Sequence, residues 1–406
     1  MRRVIAAVAV TISFVHGLIH LLGVVEGFGW ADVEQLTAPI GAAMAVAWLA
    51  AAIAVVAAAV MMGARARGWW LVAGLAAIGS QAVVLTSWTD ARAGTAANVL
   101  LLLAAVWGAL ADGPTSLRVR FRRLAADARA TVTGDGRPSA ALVTEDDLAD
   151  LPGPVAEFVR VSGAVGRPRV VGIDATIHGR IRSDERSPWM RFTGRQVNTF
   201  GAAPTRVFWM DATMRGLPAD VLHAYVGDAA TMEVRAASVI PVVRSGGPEF
   251  TRAETVTILN DLCVFAPAAL VDADVTWTGI DDRSARATFR CAGHTIKAVL
   301  VFDDRHRLVY FVSDDRLRAA AGGAGDVAQR WSTPITEHRE VDGRTIGTAG
   351  AGRWHPPDGP AFDYLEIAVD ELTFLEAAPA PTRSMSNRSG SANTDGSRFA
   401  TRRLLE

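Results

Sequence analysis

Four long apolar stretches, separated by short polar ones, fill the first 112 residues, and they constrain the fold more than any other feature of this chain. Val4 to Val25 holds two histidines and no formal charge; further runs occupy Pro39–Met62, Trp69–Trp88 and Gly94–Ala111. At about 1.5 Å per helical residue, runs of this length match a hydrocarbon core of roughly 30 Å. Arg2 and Arg3 would also suit a secretory signal, but signal h-regions span only about 7–15 residues, and no small-residue cleavage site follows. Four transmembrane helices are therefore expected over residues 1–112. A mean hydropathy of +0.22, with 20% charged residues, fits a chain only partly in lipid.

The connecting charges predict the orientation. Arg2, Arg3, Arg65, Arg67, Arg118, Arg120, Arg122 and Arg123 fall on one side, against Arg92 alone on the other. Positive residues stay inside, so both termini and the large C-terminal part are expected in the cytoplasm. Trp69, Trp70 and Trp88 stand at span ends, where interfacial anchors belong. The basic stretch Arg118–Arg129 reads as a positive-inside stop or as a helix on the inner leaflet. A net charge of −1 gives no field for nucleic acid, and none is expected as a partner. Cys263 and Cys291, the only cysteines, have no zinc spacing, so no metal is expected.

After a basic juxtamembrane segment and polar linker (113–148), the hydrophobic period changes. Pro154–Val161 reads as a short helix with Val155, Phe158 and Val159 on one face. Beyond it the period is two. Ala175, Ile177, Gly179 and Ile181 alternate with polar residues, as do Ala285, Ala287, Phe289 and Cys291, while Ile296, Ala298, Leu300 and Phe302 share one face. Such segments are half-buried antiparallel strands, and Asp281-Asp282 and Asp303-Asp304 fall at turns between them. One clear helix interrupts them: Thr251 and Glu254 make a T-x-x-E capping box, with Val256, Leu259 and Cys263 on one face. The predicted class is thus a four-helix membrane region plus an α+β soluble domain (149–376), mainly antiparallel sheet with one or two short helices. So few helices cannot cover the sheet, which must close as a sandwich or curve into a half-barrel around an apolar cavity. The sequence leaves both open. Residues 377–406 read as a disordered tail.

Two sets of residues carry a family resemblance. The membrane half has His16-Gly-Leu-Ile-His20 and Trp88-Thr-Asp90, with Gly94 and Asn98 following. The soluble half has Glu254-Thr-Val-Thr, Asn260-Asp261-Leu-Cys263, Ser313-Asp-Asp-Arg316 and Trp331-Ser-Thr-Pro334. Together they resemble an uncharacterised bacterial family with this β-rich domain in common, and so imply a bacterial inner membrane. In strand–helix order the domain is similar to the LolA-like lipoprotein carriers, whose curved sheet holds acyl chains. Those carriers work in the periplasm, whereas the charge pattern here places the domain in the cytoplasm.

The candidate sites follow. His16 and His20 lie one turn apart on one helix face, and with Gln81, Asp90 and Asn98 they read as an intramembrane polar core. That core is either inter-helix hydrogen bonding or a proton, metal, haem or quinone site. In the sheet domain, Asn260, Asp261, Asp314, Asp315 and Arg316 are candidate rim residues, and Trp209, Cys263 and Trp331 candidate cavity residues. Arg316 either locks a helix carboxylate to the sheet or receives an anionic head group. No nucleophile elbow, metalloprotease motif or phosphate loop is present, and neither an enzyme nor a cofactor is expected. The expected function is a membrane-anchored binding protein whose β-rich domain holds a lipid or other apolar ligand. A redox- or proton-coupled protein using His16/His20, and a non-catalytic interaction protein, are the alternatives. The bilayer is the expected partner; the sequence identifies no protein partner.

Overall fold

The computed structural model describes residues 2–133, 142–319 and 326–377; residues 134–141 of the linker and, apart from residue 377, the tail expected over 377–406 lie outside the described residues. The membrane half comprises α1 (Arg2–Gly27), α2 (Ala42–Gly63), α3 (Trp69–Thr86), the single turn α4 (Trp88–Ala91) and α5 (Gly94–Asp112). Four helical stretches are long and apolar enough to cross a membrane: Ala7–Gly27, Ala42–Gly63, Trp69–Thr86 and one beginning at Gly94. Small residues let their backbones approach. A Cβ on Gly23 would lie 2.4 Å from the Trp48 ring, and one on Gly108 would lie 2.4 Å from the Trp69 ring. Val55, Ala58, Ala73, Ala76, Leu101 and Ala105 fill the contact between α2, α3 and α5.

The basic juxtamembrane stretch forms α6 (Leu117–Thr133). Its apolar stripe (Leu117, Phe121, Ala125, Ala128) packs on Val197, Val207 and Leu222 of the sheet. On its flanks Arg129 Nε donates to Asp174 at 2.9 Å, and Arg120 pairs with Glu233 at 3.4 Å. The helix is thus a strut docked on the soluble domain. Two further bonds join the domain to the end of the fourth span: Trp107 Nε1 to the Ala237 carbonyl, and Arg235 to the Thr115 carbonyl, both 2.9 Å.

The soluble part opens with α7 (Gly153–Val161), buried through Val155, Phe158 and Val159. Six strands follow: β1 (Val170–Ile181), β2 (Met190–Thr199), β3 (Thr205–Met214), β4 (Leu217–Val226), β5 (Ala229–Ala236) and β6 (Ile240–Gly246). Then comes α8 (Pro248–Phe265), followed by β7 (Val275–Asp281), β8 (Ser284–Cys291), β9 (His294–Phe302) and β10 (Leu308–Ser313). The short ribbon β11 (Leu317–Ala319) and β12 (Asp326–Ala328) precedes β13 (Trp331–Val341), β14 (Arg344–Trp354) and β15 (Phe362–Glu376).

Thirteen strands make one antiparallel sheet in the order β6-β5-β4-β3-β2-β1-β15-β14-β13-β10-β9-β8-β7. Its two halves meet where β1 pairs with β15, with Ile173 opposite Phe374 and Ile177 opposite Val369. The sheet is open, with β6 and β7 as edges, so the half-barrel expectation holds and the sandwich does not. Helix α8 packs on β5 and β6 from one flank and on β9, β10 and β14 from the other, which requires the sheet to curl around it. Fourteen of its eighteen residues are buried.

The start of α8 corrects the capping-box expectation. The helix begins at Pro248 after Gly247, whose φ of 97° suits only glycine. Thr251, inside the first turn, donates back to the Gly247 carbonyl and accepts from the Ala230 amide. Glu254 is drawn to the sheet instead.

Candidate functional site

Two places bring chemistry-bearing residues together. The first is the interface between α8 and the sheet. Asp261 Oδ2 accepts from Gln196 at 2.7 Å, Asn198 at 2.9 Å and Arg206 Nε at 2.6 Å. Arg206 Nη1 donates to His223 Nδ1 at 2.8 Å, so the proton of a neutral His223 sits on Nε2, which lies 2.9 Å from Glu254. Glu254 then pairs with Arg316, whose Nη1 also donates to Thr257 at 3.1 Å and to the Ala253 carbonyl at 3.3 Å. The Arg316 guanidinium stacks 5.2 Å from the Trp331 ring centre. Two carboxylates, two guanidiniums and the His223 imidazole thus form a ridge between helix and sheet. Burial would raise the Glu254 carboxyl, but Arg316 and then His223 outweigh it and hold it well below the usual carboxylate range.

The sequence-predicted residues separate around this ridge. Asp261, Arg316 and Trp331 belong to it, and Asn260 donates to Thr333 beside it at 3.0 Å. Asp315 accepts from Arg252 at 2.6 Å and from the Lys297 amide at 2.7 Å, while Asp314 pairs with Arg330 in solvent. Cys263 lines a gap of about 10 Å³, enough for roughly one water. Its thiol is pushed up by burial, as is Cys291, to about 11, so both are inert packing groups. Trp209 requires a correction. It lies on the outer face of the sheet, its ring 6.2 Å from Phe121 of α6 and under Arg118 at 5.1 Å, while its neighbours Phe208 and Met210 point into the α8 core. It does not line an inner cavity. The trough that was expected to hold a ligand is occupied by α8.

The second place is the helical region. A cleft of about 500 Å³ runs beside α1, walled by Ile12, Val15, His16 and Ile19 and by Ala93, Gly94 and Ala97 at the start of α5; Val84 and Trp48 also line it. Ile12, Val15 and Ile19 are exposed, so it opens sideways. His16 Nε2 lies 2.9 Å from Asn98 Oδ1 and 3.2 Å from Ser80 Oγ. His20 donates from Nδ1 to the His16 carbonyl and meets Ser80 Oγ at 2.8 Å through Nε2. Asn98 donates to Gln81 at 3.0 Å, and Gln81 to Thr95 at 3.1 Å. The expected core of His16, His20, Gln81 and Asn98 is therefore assembled across α1, α3 and α5. Asp90 stands apart, at the end of the bundle where α1 connects to α2. It accepts from the Thr37 hydroxyl and from the Thr37 and Ala38 amides, which fastens the α1–α2 connection to α4.

Sequence reasoning missed Ser80, Arg206 and His223. Adjacent polar residues at 80 and 81 in an apolar span, and an arginine on the face of β3 shared with Phe208 and Met210, were the available signals. Among the described residues no group of three or more His, Cys, Asp or Glu is placed to hold a metal.

The fold and these two places define a class: an open, helix-filled antiparallel sheet carried on four apolar helices. The chain belongs to the family of unknown function DUF6544, whose model matches residues 141–367. No curated protein matches it. Among solved structures, a domain described as an outer membrane lipoprotein-sorting protein domain from Vibrio parahaemolyticus is 11% identical. It covers 50% of this chain and 85% of its own, with a TM-score of 0.30. A DUF1329 family protein from Desulfovibrio piger is 13% identical, covers 54% and 91%, and has a TM-score of 0.32. The β-barrel-like DUF1849 protein from Brucella abortus is 10% identical, covers 51% and 98%, and has a TM-score of 0.23.

Proposed function

We propose that this chain is a membrane-anchored binding protein that holds an apolar ligand in the lateral cleft of its helical region. One observation carries the reading: a cleft of about 500 Å³, walled mainly by aliphatic side chains, open to the side and floored by a hydrogen-bonded polar core. Small-molecule sites are concave, mostly apolar, and roughly 300–1,000 Å³, with a few placed polar groups. In the sheet domain, α8 lies in the trough, with fourteen of its residues buried. Asn260, Asp261, Arg316 and Trp331 serve in this reading to fix α8, and α6 holds the domain beside the membrane.

The test is lipid extraction and native mass spectrometry of the full-length protein. Ala97→Phe, which fills the cleft, is expected to lower a co-purifying apolar ligand at least tenfold; Leu103→Phe, on an exposed face of α5, should leave it unchanged. Equal retention by both variants would overturn the reading.

The location proposed is the bacterial inner membrane with both termini cytoplasmic, on the strength of the arginine asymmetry. A fluorescent reporter fused after Glu406 should be bright and a phosphatase fused there inactive. An active phosphatase would reverse the orientation.

A further inference from the structure

We propose that the cleft selects an uncharged amphiphile whose polar end is a hydroxyl, received by His16 Nδ1. This rests on the cleft being a ligand site, and it names the ligand's chemistry. A backbone carbonyl only accepts, so His20 carries its proton on Nδ1, which faces the His16 carbonyl at 2.9 Å. A neutral His20 therefore has a bare Nε2, and the Ser80 hydroxyl 2.8 Å away must donate to it. With that proton committed, Ser80 Oγ is only an acceptor toward His16 Nε2 at 3.2 Å.

The Asn98 amide is placed consistently with this: its nitrogen donates to Gln81 Oε1, and its oxygen Oδ1 is turned to His16 Nε2 at 2.9 Å. Two acceptors facing Nε2 place the His16 proton there. His16 Nδ1 is then a bare acceptor, and it makes no hydrogen bond among the described residues. His16 is 5% exposed, and its ring lines the cleft beside Gly94, where a Cβ would come within 3.1 Å of Cε1 and 3.9 Å of Nδ1. The missing side chain at 94 is what leaves this edge of the ring approachable.

An unpaired acceptor on the wall of an apolar cleft, once a ligand covers it, discriminates for a donor. No Lys or Arg lines the cleft, and Asp90 is its one formal charge, so a carboxylate or phosphate end is disfavoured. What fits is an aliphatic or isoprenoid chain ending in O–H.

The experiment uses the full-length protein in detergent micelles, with retained ligand read by native mass spectrometry. The probes are 1-hexadecanol, its methyl ether and palmitate, with geranylgeraniol separating a branched from a linear chain. Retention of either alcohol at least tenfold above the ether and palmitate is expected. Gly94→Ala, which keeps both Nε2 bonds of His16, should bring the alcohol down to the ether's level; His16→Phe should do the same. Equal retention of alcohol and ether by the unaltered protein overturns the hydroxyl assignment while leaving the cleft as an apolar site. If no probe is retained and Ala97→Phe changes nothing, the cleft reading fails and this inference fails with it.

Discussion

Arg316→Met is expected to lower the stability of the sheet domain by about 3–5 kcal/mol, because it leaves Glu254 buried without its cation. At roughly 2–4 °C per kcal/mol for a domain of this size, the melting temperature should fall on the order of 10 °C. The size of the loss comes from what remains: an ionised carboxylate in the core that keeps His223 and the Thr257 hydroxyl as its close partners but has lost its guanidinium. Removing both charges should therefore cost less than removing one, and Glu254→Leu with Arg316→Met should recover much of the loss. Protonation tests the same pair from the other side. Glu254 holds its proton far less readily in the folded chain than in the unfolded one, whose value lies near 4.5. Its contribution is therefore complete above that pH and is lost progressively as the pH falls below it, because the unfolded chain takes up a proton that the folded chain refuses. Glu254→Gln should flatten this acid slope. Urea denaturation of the full-length protein at pH 7 and pH 4, followed by tryptophan fluorescence, checks both. A loss under 1 kcal/mol for Arg316→Met would mean that the ridge does not hold α8.

The apolar spans and most strands were legible because each is a local pattern. Ala175, Ile177 and Ile181 announce β1 by period alone, and Asp281 and Asp303 sit at turns because their carboxylates accept amides two residues on. Three features were not legible, each because a distant contact overrode a local signal. Glu254 reads as the second half of a capping box, yet its partner Arg316 lies 62 positions away, and the helix starts instead at Gly247-Pro248. Trp209 could not be assigned a side, because period two separates faces only when one of them is wet. In β3 both faces are covered, Val207 and Trp209 by α6 and Phe208 and Met210 by the α8 core. The cleft lay outside reach for the same reason, since His16, Ser80, Gly94 and Asn98 come from three helices. The motif residues themselves were a good guide to position. Glu254, Asp261, Arg316 and Trp331, picked out as scattered pieces of a family pattern, meet in one ridge.

Whether α8 is core or lid decides what the sheet is for, and hydrogen exchange answers it. If α8 is core, its amides from Thr255 to Cys263 exchange only through global unfolding, with the same free energy as the amides of β9 and β14 against which it packs. Leu259→Ala then lowers the protection of all three elements together, by about 2–5 kcal/mol, because a fully buried leucine is replaced by a void that its neighbours cannot close. The burial of both faces of α8, the polar one in charged partners and the apolar one, with Ile258, Leu262 and Phe265, in the core of the domain, predicts this outcome. If instead α8 exchanges through a separate, lower-energy opening while β9 and β14 stay protected, the helix leaves the trough in the native ensemble. The inner face lined by Phe208, Ala298, Leu300 and Ile346 would then be bared, and the sheet would be able to take an acyl chain in the helix's place. The ridge opposes that opening, since withdrawing α8 separates Asp261 from Arg206 and Glu254 from Arg316 at once. Exchange of the full-length protein with and without Arg316→Met therefore separates the two cases. In a core helix the variant lowers every amide of the domain by one common amount; in a lid it lowers those of α8 alone.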